Sequence, residues 1–415
     1  MSGGLLQLVA YGSQDIYLTG NASISFWKSV YRRYTSFALE SIECTFNGSV
    51  GFNKRISATI PRNGDLLTTQ WLEIVMKKHD TNASYYPAEA LLKEIEVEIG
   101  GQRIDKIYSD WFRVFDELYR SGSEKEAYRS MVDFDDTTAG GDTGVYKRFY
   151  VPLIFFYNRA PGLALPLVAL QYHEIKLNIL FENATNMASA GVDPTVEPTC
   201  QLFSTFCYLD TEERKRFSQQ SHEMLITTLQ HTGAESVTPG TDGARTHNIR
   251  LSLNHPVRVL SWIIKKSGVH GAYTTQAPGE TSDKFAVLKE SRLQLNGHDR
   301  FDSRKGSYFN SVQPFEHVSP PTKPAAGVYS YHFGLRSNEV VQPSGSCNFS
   351  RIDNATLVVT TKAASVATNL PANAIITEDI TFANAEGNLT QLLVFAESYN
   401  ILRVISGMAG LAYSS

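Results

Sequence analysis

The chain has 415 residues, 42% of them hydrophobic and 19% charged, and a formal net charge of −4. That length suggests about two or three domains, and the composition supports a large buried core and excludes a disordered chain. The acidic balance argues against a surface that grips nucleic acid throughout, because such proteins usually carry a basic excess.

In chain order, the opening MSGGLLQLVAYG has neither a basic leader nor a long apolar run, so it does not read as a secretory signal. Ser2 stands where N-myristoylation needs glycine. Tyr31, Arg32, Arg33 and Tyr34 interleave aromatic and basic side chains, a pattern that can suit single strands but is isolated here. The clearest strand is Lys93–Ile99, where Ile95, Val97 and Ile99 share one face and Glu94, Glu96 and Glu98 the other; Gly100-Gly101 ends it in a turn. Similar alternation recurs at Leu72/Ile74/Met76, Ile175/Leu177/Ile179 and Ala355/Leu357/Val359. Short alternating strands with Gly, Pro and Asn punctuation predict an all-β sandwich.

Helices are few. Asp110–Arg120 puts Trp111, Phe115 and Leu118 near one face, with Gly122 expected at its C-terminal end. Ser123 to Glu126 reads as a capping box opening a second short helix, and Asp210 as the start of a third, running through Phe217 in a charged connector. The most apolar stretch, Val151–Leu170, holds Asn158, Arg159 and Pro152, Pro161 and Pro166, and so is not a membrane span.

The two halves echo each other. Leu91–Gln102 (LLKEIEVEIGGQ) matches Val287–His298 (VLKESRLQLNGH) at an offset of 196, and Glu174–Asn178 matches Asn354–Val358 at 180. The difference fits a longer insert, Asp116–Tyr146, in the first half. These coincidences raise a duplicated β-module without deciding it.

No catalytic motif is found. His173-Glu174 and His222-Glu223 begin like HExxH, but Leu177 and Ile226 occupy the second ligand position. His173 therefore reads as a hydrogen-bonded structural histidine. There is no GxGxxG, GxxxxGK[ST] or GxSxG. Gly407–Gly410 (GMAG) reads as close backbone packing. Asp133, Asp135, Asp136 and Asp142 lack EF-hand spacing and read as a solvated loop. Cys44, Cys200, Cys207 and Cys347 are too sparse for a disulfide framework and read as reduced, mostly buried thiols. The N-x-[ST] sequons, from Asn21 to Asn388, read mostly as turns. No metal, cofactor or catalytic residue is assigned. Many loops and no chemistry point to an interaction or structural protein, with a carbohydrate-binding sandwich still open.

Longer strings carry a resemblance. Gly3–Ile42 (GGLLQLVAYGSQDIYLTGNASISFWKSVYRRYTSFALESI) opens it, followed by PRNGDL (61–66), EIGGQRIDK (98–106), RFYVPLIFF (148–156) and LALPLVALQYHEIKL (163–177). LDTEERKRF (209–217), QLNGHDRF (294–301), RKGSYFN (304–310), QPSGSCNFSRIDNATL (342–357) and YNILRVISGMAGLAY (399–413) continue it in the same order. The chain resembles the major capsid proteins of large icosahedral double-stranded DNA viruses, and looks most like those of viruses infecting unicellular green algae.

The resemblance implies an all-β double jelly-roll: two eight-stranded sandwiches side by side, with a few short helices in loops. The expected parts are an N-terminal arm (1–26), a first jelly-roll (27–210), a connector (211–223) and a second jelly-roll (224–415). It implies a structural protein, not an enzyme, whose homotrimers form pseudo-hexagonal capsomers tiling an icosahedral shell. Expected partners are the chain itself, neighbouring capsomers and minor capsid proteins, with any internal viral membrane reached indirectly and no direct nucleic acid. The expected location is the virion capsid, assembled in the host cytoplasm. Leu5, Leu6, Leu8 and Val9, beside flexible Gly3-Gly4, are expected to form an inner-face contact arm. Asn388, or Asn384, is the expected glycosylation site on an outer loop. The alternatives are a capsid paralogue at spikes or vertices, or a carbohydrate-binding sandwich that contacts a host cell wall.

Overall fold

A computed structural model describes residues 2–79, 86–134, 144–237, 244–266, 288–322, 324, 327–361, 364–365, 382–383 and 389–413. It divides into two units, Met1–Ser36 and Phe37–Ser415. The first contains short helices at Gly3–Val9 and Ile16–Thr19, neither of which buries a residue.

Within the second unit, strands from Phe37 to Leu209 form one sandwich. One sheet runs in the order Phe37–Cys44, Thr199–Leu209, Leu66–Lys77, Tyr146–Pro152. The facing sheet runs Arg55–Thr59, Ile175–Phe181, Leu92–Ile99, Gln102–Tyr108, with Phe46–Asn47 on its outer edge. The first and last principal strands are therefore neighbours, as are the third and sixth. That is jelly-roll connectivity. The second sandwich repeats the pattern. His222–Ser236, Leu389–Ile405, Pro256–Lys266 and Val328–His332 make one sheet; Arg245–Leu251, Ala355–Thr361, Leu288–Leu295 and His298–Lys305 make the other.

The duplication seen in the sequence maps onto equivalent strands. Leu92–Ile99 and Leu288–Leu295 are both the fourth principal strand of their sandwich, each in a tight hairpin with the fifth. The turns are Gly100-Gly101 (φ +57° and +85°) and Asn296-Gly297 (φ +50° and +82°). Two successive left-handed residues are what a two-residue hairpin with native twist requires, and Gly and Asn tolerate them best. Ile175–Phe181 and Ala355–Thr361 are likewise both seventh strands. The alternation predicts burial correctly: Ile95, Val97, Ile99, Leu72, Ile74, Leu177 and Ile179 are at most 1% exposed.

Two helix details differ from expectation. The helix Ser109–Tyr119 ends with Arg120 in extended backbone, and Gly122 instead opens the next helix, Gly122–Val132. The capping box belongs to Ser121, which engages Glu124; Ser123 lies inside the helix. The third helix spans Thr211–Gln219, and the second sandwich begins with the strand at His222. Cys44, Cys200 and Cys207 are buried free thiols and Cys347 is half-buried. No helix among the described residues is long and apolar enough to cross a membrane.

Candidate functional site

The most elaborate chemistry lies where the two sandwiches meet. The helix Ser109–Tyr119 forms after the fifth strand of the first sandwich and buries Trp111, Phe112, Val114 and Leu118. Trp111 also faces across the junction, its ring 5.5 Å from Phe395 of the second sandwich. The central strands of the second sandwich's sheet, Pro256–Lys266 and Leu389–Ile405, are consequently buried on both faces around Trp262, Ile263, Val394 and Phe395. Trp262, Val394 and Ala396 point into its own core. Ile263, Leu393 and Phe395 join the core that contains the first sandwich.

Glu397 anchors this junction. It sits beside Phe395 in period-two register, on the same sheet face, and is 2% exposed. Arg159 Nη1 donates to its Oε1 at 2.7 Å and Arg258 Nη2 at 3.1 Å, while the Tyr119 hydroxyl donates to Oε2. Burial alone would raise the Glu397 carboxyl, but Arg258 and Arg159 outweigh it and hold it down at about 2. Glu397 and Arg258 belong to the second sandwich; Arg159 and Tyr119 belong to the first.

Other polar contacts flank this cluster. Lys265 pairs with Asp110 at 2.5 Å. Asp105 accepts the Leu229 backbone N–H at 3.0 Å, capping an edge of the second sandwich. Burial pushes the Asp105 carboxyl up to about 7 despite that bond. Tyr172 donates its backbone N–H to the Gly407 carbonyl at 3.0 Å, and Ala409 N–H donates to His173 Nδ1 at 3.2 Å. His173 is thus a structural histidine, as expected, and the GMAG segment is the backbone it packs against. A cleft of about 620 Å³ at the junction is lined in part by Lys93, Glu94, Asp110, His231 and Lys265. Asp110 and Lys265 are paired there, and His231 Nδ1–H donates to the Val394 carbonyl at 2.8 Å. Among the described residues, no group of three or more His, Cys, Asp or Glu side chains is placed to hold a metal ion.

Apart from His173 and the GMAG segment, the residues singled out from sequence are not among these side chains. Leu5, Leu6, Leu8 and Val9 share the helix Gly3–Val9 and are 55–77% exposed. Asn384 and Asn388 lie outside the described residues, as do Asp135, Asp136 and Asp142. Asn183 and Asn348 use their side chains to cap short helical turns, in keeping with the turn reading of those sequons. No local pattern links the junction residues, whose positions span some 280 residues. One signal was available: Glu397 interrupts the apolar run LLVFAESYNIL.

Comparison with known proteins gives a chain-long match. Residues 25–210 fit the family model for the major capsid protein N-terminus, and residues 213–410 that of the large eukaryotic DNA virus major capsid protein. The major capsid protein of Paramecium bursaria Chlorella virus 1 is 47% identical, and that of Pyramimonas orientalis virus 42%, each alignment covering all of both chains. A chain of the quasi-atomic model of the PBCV-1 virus capsid superposes with a TM-score of 0.86 at 45% identity, covering 94% of this chain and 100% of that one. The Faustovirus major capsid protein shares the fold at 13% identity, with a TM-score of 0.69 over 95% of this chain and 94% of its own.

Proposed function

The chain belongs to the large eukaryotic DNA virus major capsid protein family, and on that premise we propose that three copies close into a pseudo-hexagonal capsomer that tiles an icosahedral shell. It is a structural protein of the virion capsid, not an enzyme. The observation that carries the proposal is the pair of jelly-rolls joined side by side through Glu397, Arg159, Tyr119 and Trp111. Three such pairs present six similar blocks about a threefold axis, which gives a nearly hexagonal tile. The contact is heterologous and closes as a ring. A permanent trimer of this kind buries more than about 2,000 Å² per interface. Weaker contacts between capsomers suffice for the shell because many act together.

In this reading the chain works as four parts: an arm (1–26), a first jelly-roll (27–210), a connector (211–223) and a second jelly-roll (224–415). The arm, through Leu5, Leu6, Leu8 and Val9, contacts minor capsid proteins or a neighbouring copy on the inner face. Any internal membrane is reached through those proteins. Assembly takes place in the host cytoplasm, and Asn388 or Asn384 carries an outer glycan. Light scattering after gel filtration tests the trimer. A mass about three times 46.1 kDa that persists on dilution supports it; a monomer contradicts it.

A further inference from the structure

The two jelly-rolls treat equivalent surfaces differently. In the second, the outer face of the sheet containing Pro256–Lys266 and Leu389–Ile405 is closed: Ile263 is 0%, Phe395 1% and Glu397 2% exposed. The helix Ser109–Tyr119 of the first jelly-roll covers it, through Trp111 against Phe395 and Tyr119 against Glu397. In the first jelly-roll, the matching face belongs to Leu66–Lys77 and Thr199–Leu209. There Trp71 and Phe203 are cross-strand partners, as Ser261 and Phe395 are in the second. Trp71 stacks on Phe203 at 4.3 Å and meets Tyr150 edge-on at 5.7 Å. All three are only half-buried, and Leu39, on the neighbouring edge strand, is 58% exposed.

The covering element is duplicated as well. After His298–Lys305, the strand equivalent to Gln102–Tyr108, the second jelly-roll also turns into helix, through Tyr308–Val312 and Gln313–His317. The offset of 196 that aligns the two hairpins places Phe315 at the position of Tyr119. Tyr119 is half-buried at the junction, with its hydroxyl on Glu397, whereas Phe315 is 67% and Val312 40% exposed. Leu335, whose carbonyl faces His317 Nδ1 at 3.4 Å, is 74% exposed. The chain therefore carries one spent copy of this contact and the two unspent halves of another.

We infer that the interface between copies repeats the junction within the chain: the Val312–Phe315 helix of one copy docks on the Trp71–Phe203–Tyr150 face of the next. The occupant is a second copy of this chain because its own jelly-rolls already show how such a helix covers such a face. A ring closes because each copy contributes one helix and one face, and the contact is heterologous. Aromatic anchors at the centre of a packed patch are what such an interface needs.

This inference rests on the trimer reading, and the test separates the two. The full chain carrying Phe315→p-benzoylphenylalanine is sized, irradiated and digested, beside the unmodified protein. The expected result is a trimer whose cross-links join residue 315 to peptides covering 66–77, 146–152 or 199–209. A trimer cross-linked only elsewhere, the N-terminal arm included, overturns the docking surface and leaves the trimer standing. An unmodified chain that stays monomeric at every concentration overturns both. Phe315→Glu, with the circular dichroism of the folded chain unchanged, is expected to abolish the trimer peak; a trimer of unchanged stability on dilution contradicts the inference.

Discussion

Glu397 Oε1 and Arg258 Nη2 lie 3.1 Å apart, and both side chains are 2% exposed. Together they form one half of a charged lock whose other half, Arg159 and Tyr119, comes from the other jelly-roll. A buried pair is weak evidence for net stability, but removing one partner leaves an uncompensated charge out of water. The lock thus fixes how the two blocks sit against each other.

Glu397→Gln should therefore destabilise the protein strongly. A loss of about 3–5 kcal/mol is typical when one member of a buried pair is removed. Chemical denaturation of wild type and variant measures it. A change below about 1 kcal/mol would show that the junction does not depend on this charge.

The two junction carboxyls give opposite pH dependences. Glu397 is lower in the folded chain than its ordinary value of 4.5, so its contribution is present above 4.5 and fades as pH falls toward about 2. Asp105 is raised from 3.8 to about 7, so its favourable contribution is complete below 3.8 and is lost as pH rises through 7. Asp105→Asn should accordingly narrow the difference in melting temperature between pH 6 and pH 8. Parallel melting curves for wild type and variant, shifted equally at both pH values, would contradict the assignment.

Gly407 is held twice over. Its φ is +81°, and a Cβ there would lie 2.6 Å from the Tyr172 ring across the junction. Gly407→Ala should cost about 1–3 kcal/mol from backbone strain, with the clash added. Pairing it with Tyr172→Ala separates the terms: the double variant should recover the clash but not the strain. Denaturation midpoints of the three variants supply the measurement.

Deleting residues 2–12 removes Leu5, Leu6, Leu8 and Val9, which are 55–77% exposed. The two jelly-rolls should melt unchanged, because the helix Gly3–Val9 buries nothing. Trimer stability or shell assembly should fall, as electron microscopy and dilution series would report. If both stayed unchanged, the arm would have no role in contact.

Local features of the fold were readable from the residues themselves, and the long-range double jelly-roll only through the family resemblance. The alternation of Ile95, Val97 and Ile99 and the Gly100-Gly101 turn are set by neighbours in the chain, so the hairpin could be predicted from them. The pairing of Phe37–Cys44 with Thr199–Leu209 joins segments some 160 residues apart, and no local pattern encodes it. Ser121 and Ser123 are equally plausible caps on paper. Ser121 takes the role because its side chain and backbone both reach Glu124 at the third helical position. For the junction, Glu397 was visible as a charge in an apolar run, but Arg159, Arg258 and Tyr119 meet it only once both jelly-rolls exist. The repeat was visible as two short matches; that one contact is satisfied inside the chain and its counterpart left open emerges only from comparing Phe395 with Phe203.

The central claim is that one chain supplies two equivalent blocks and three chains supply six. Electron microscopy of the purified protein, averaged in views down the threefold axis, tests it most directly. Six similar lobes arranged at nearly equal angles in a hexagonal outline are expected. A three-lobed outline, or single particles of about 46.1 kDa with no ring, would contradict it.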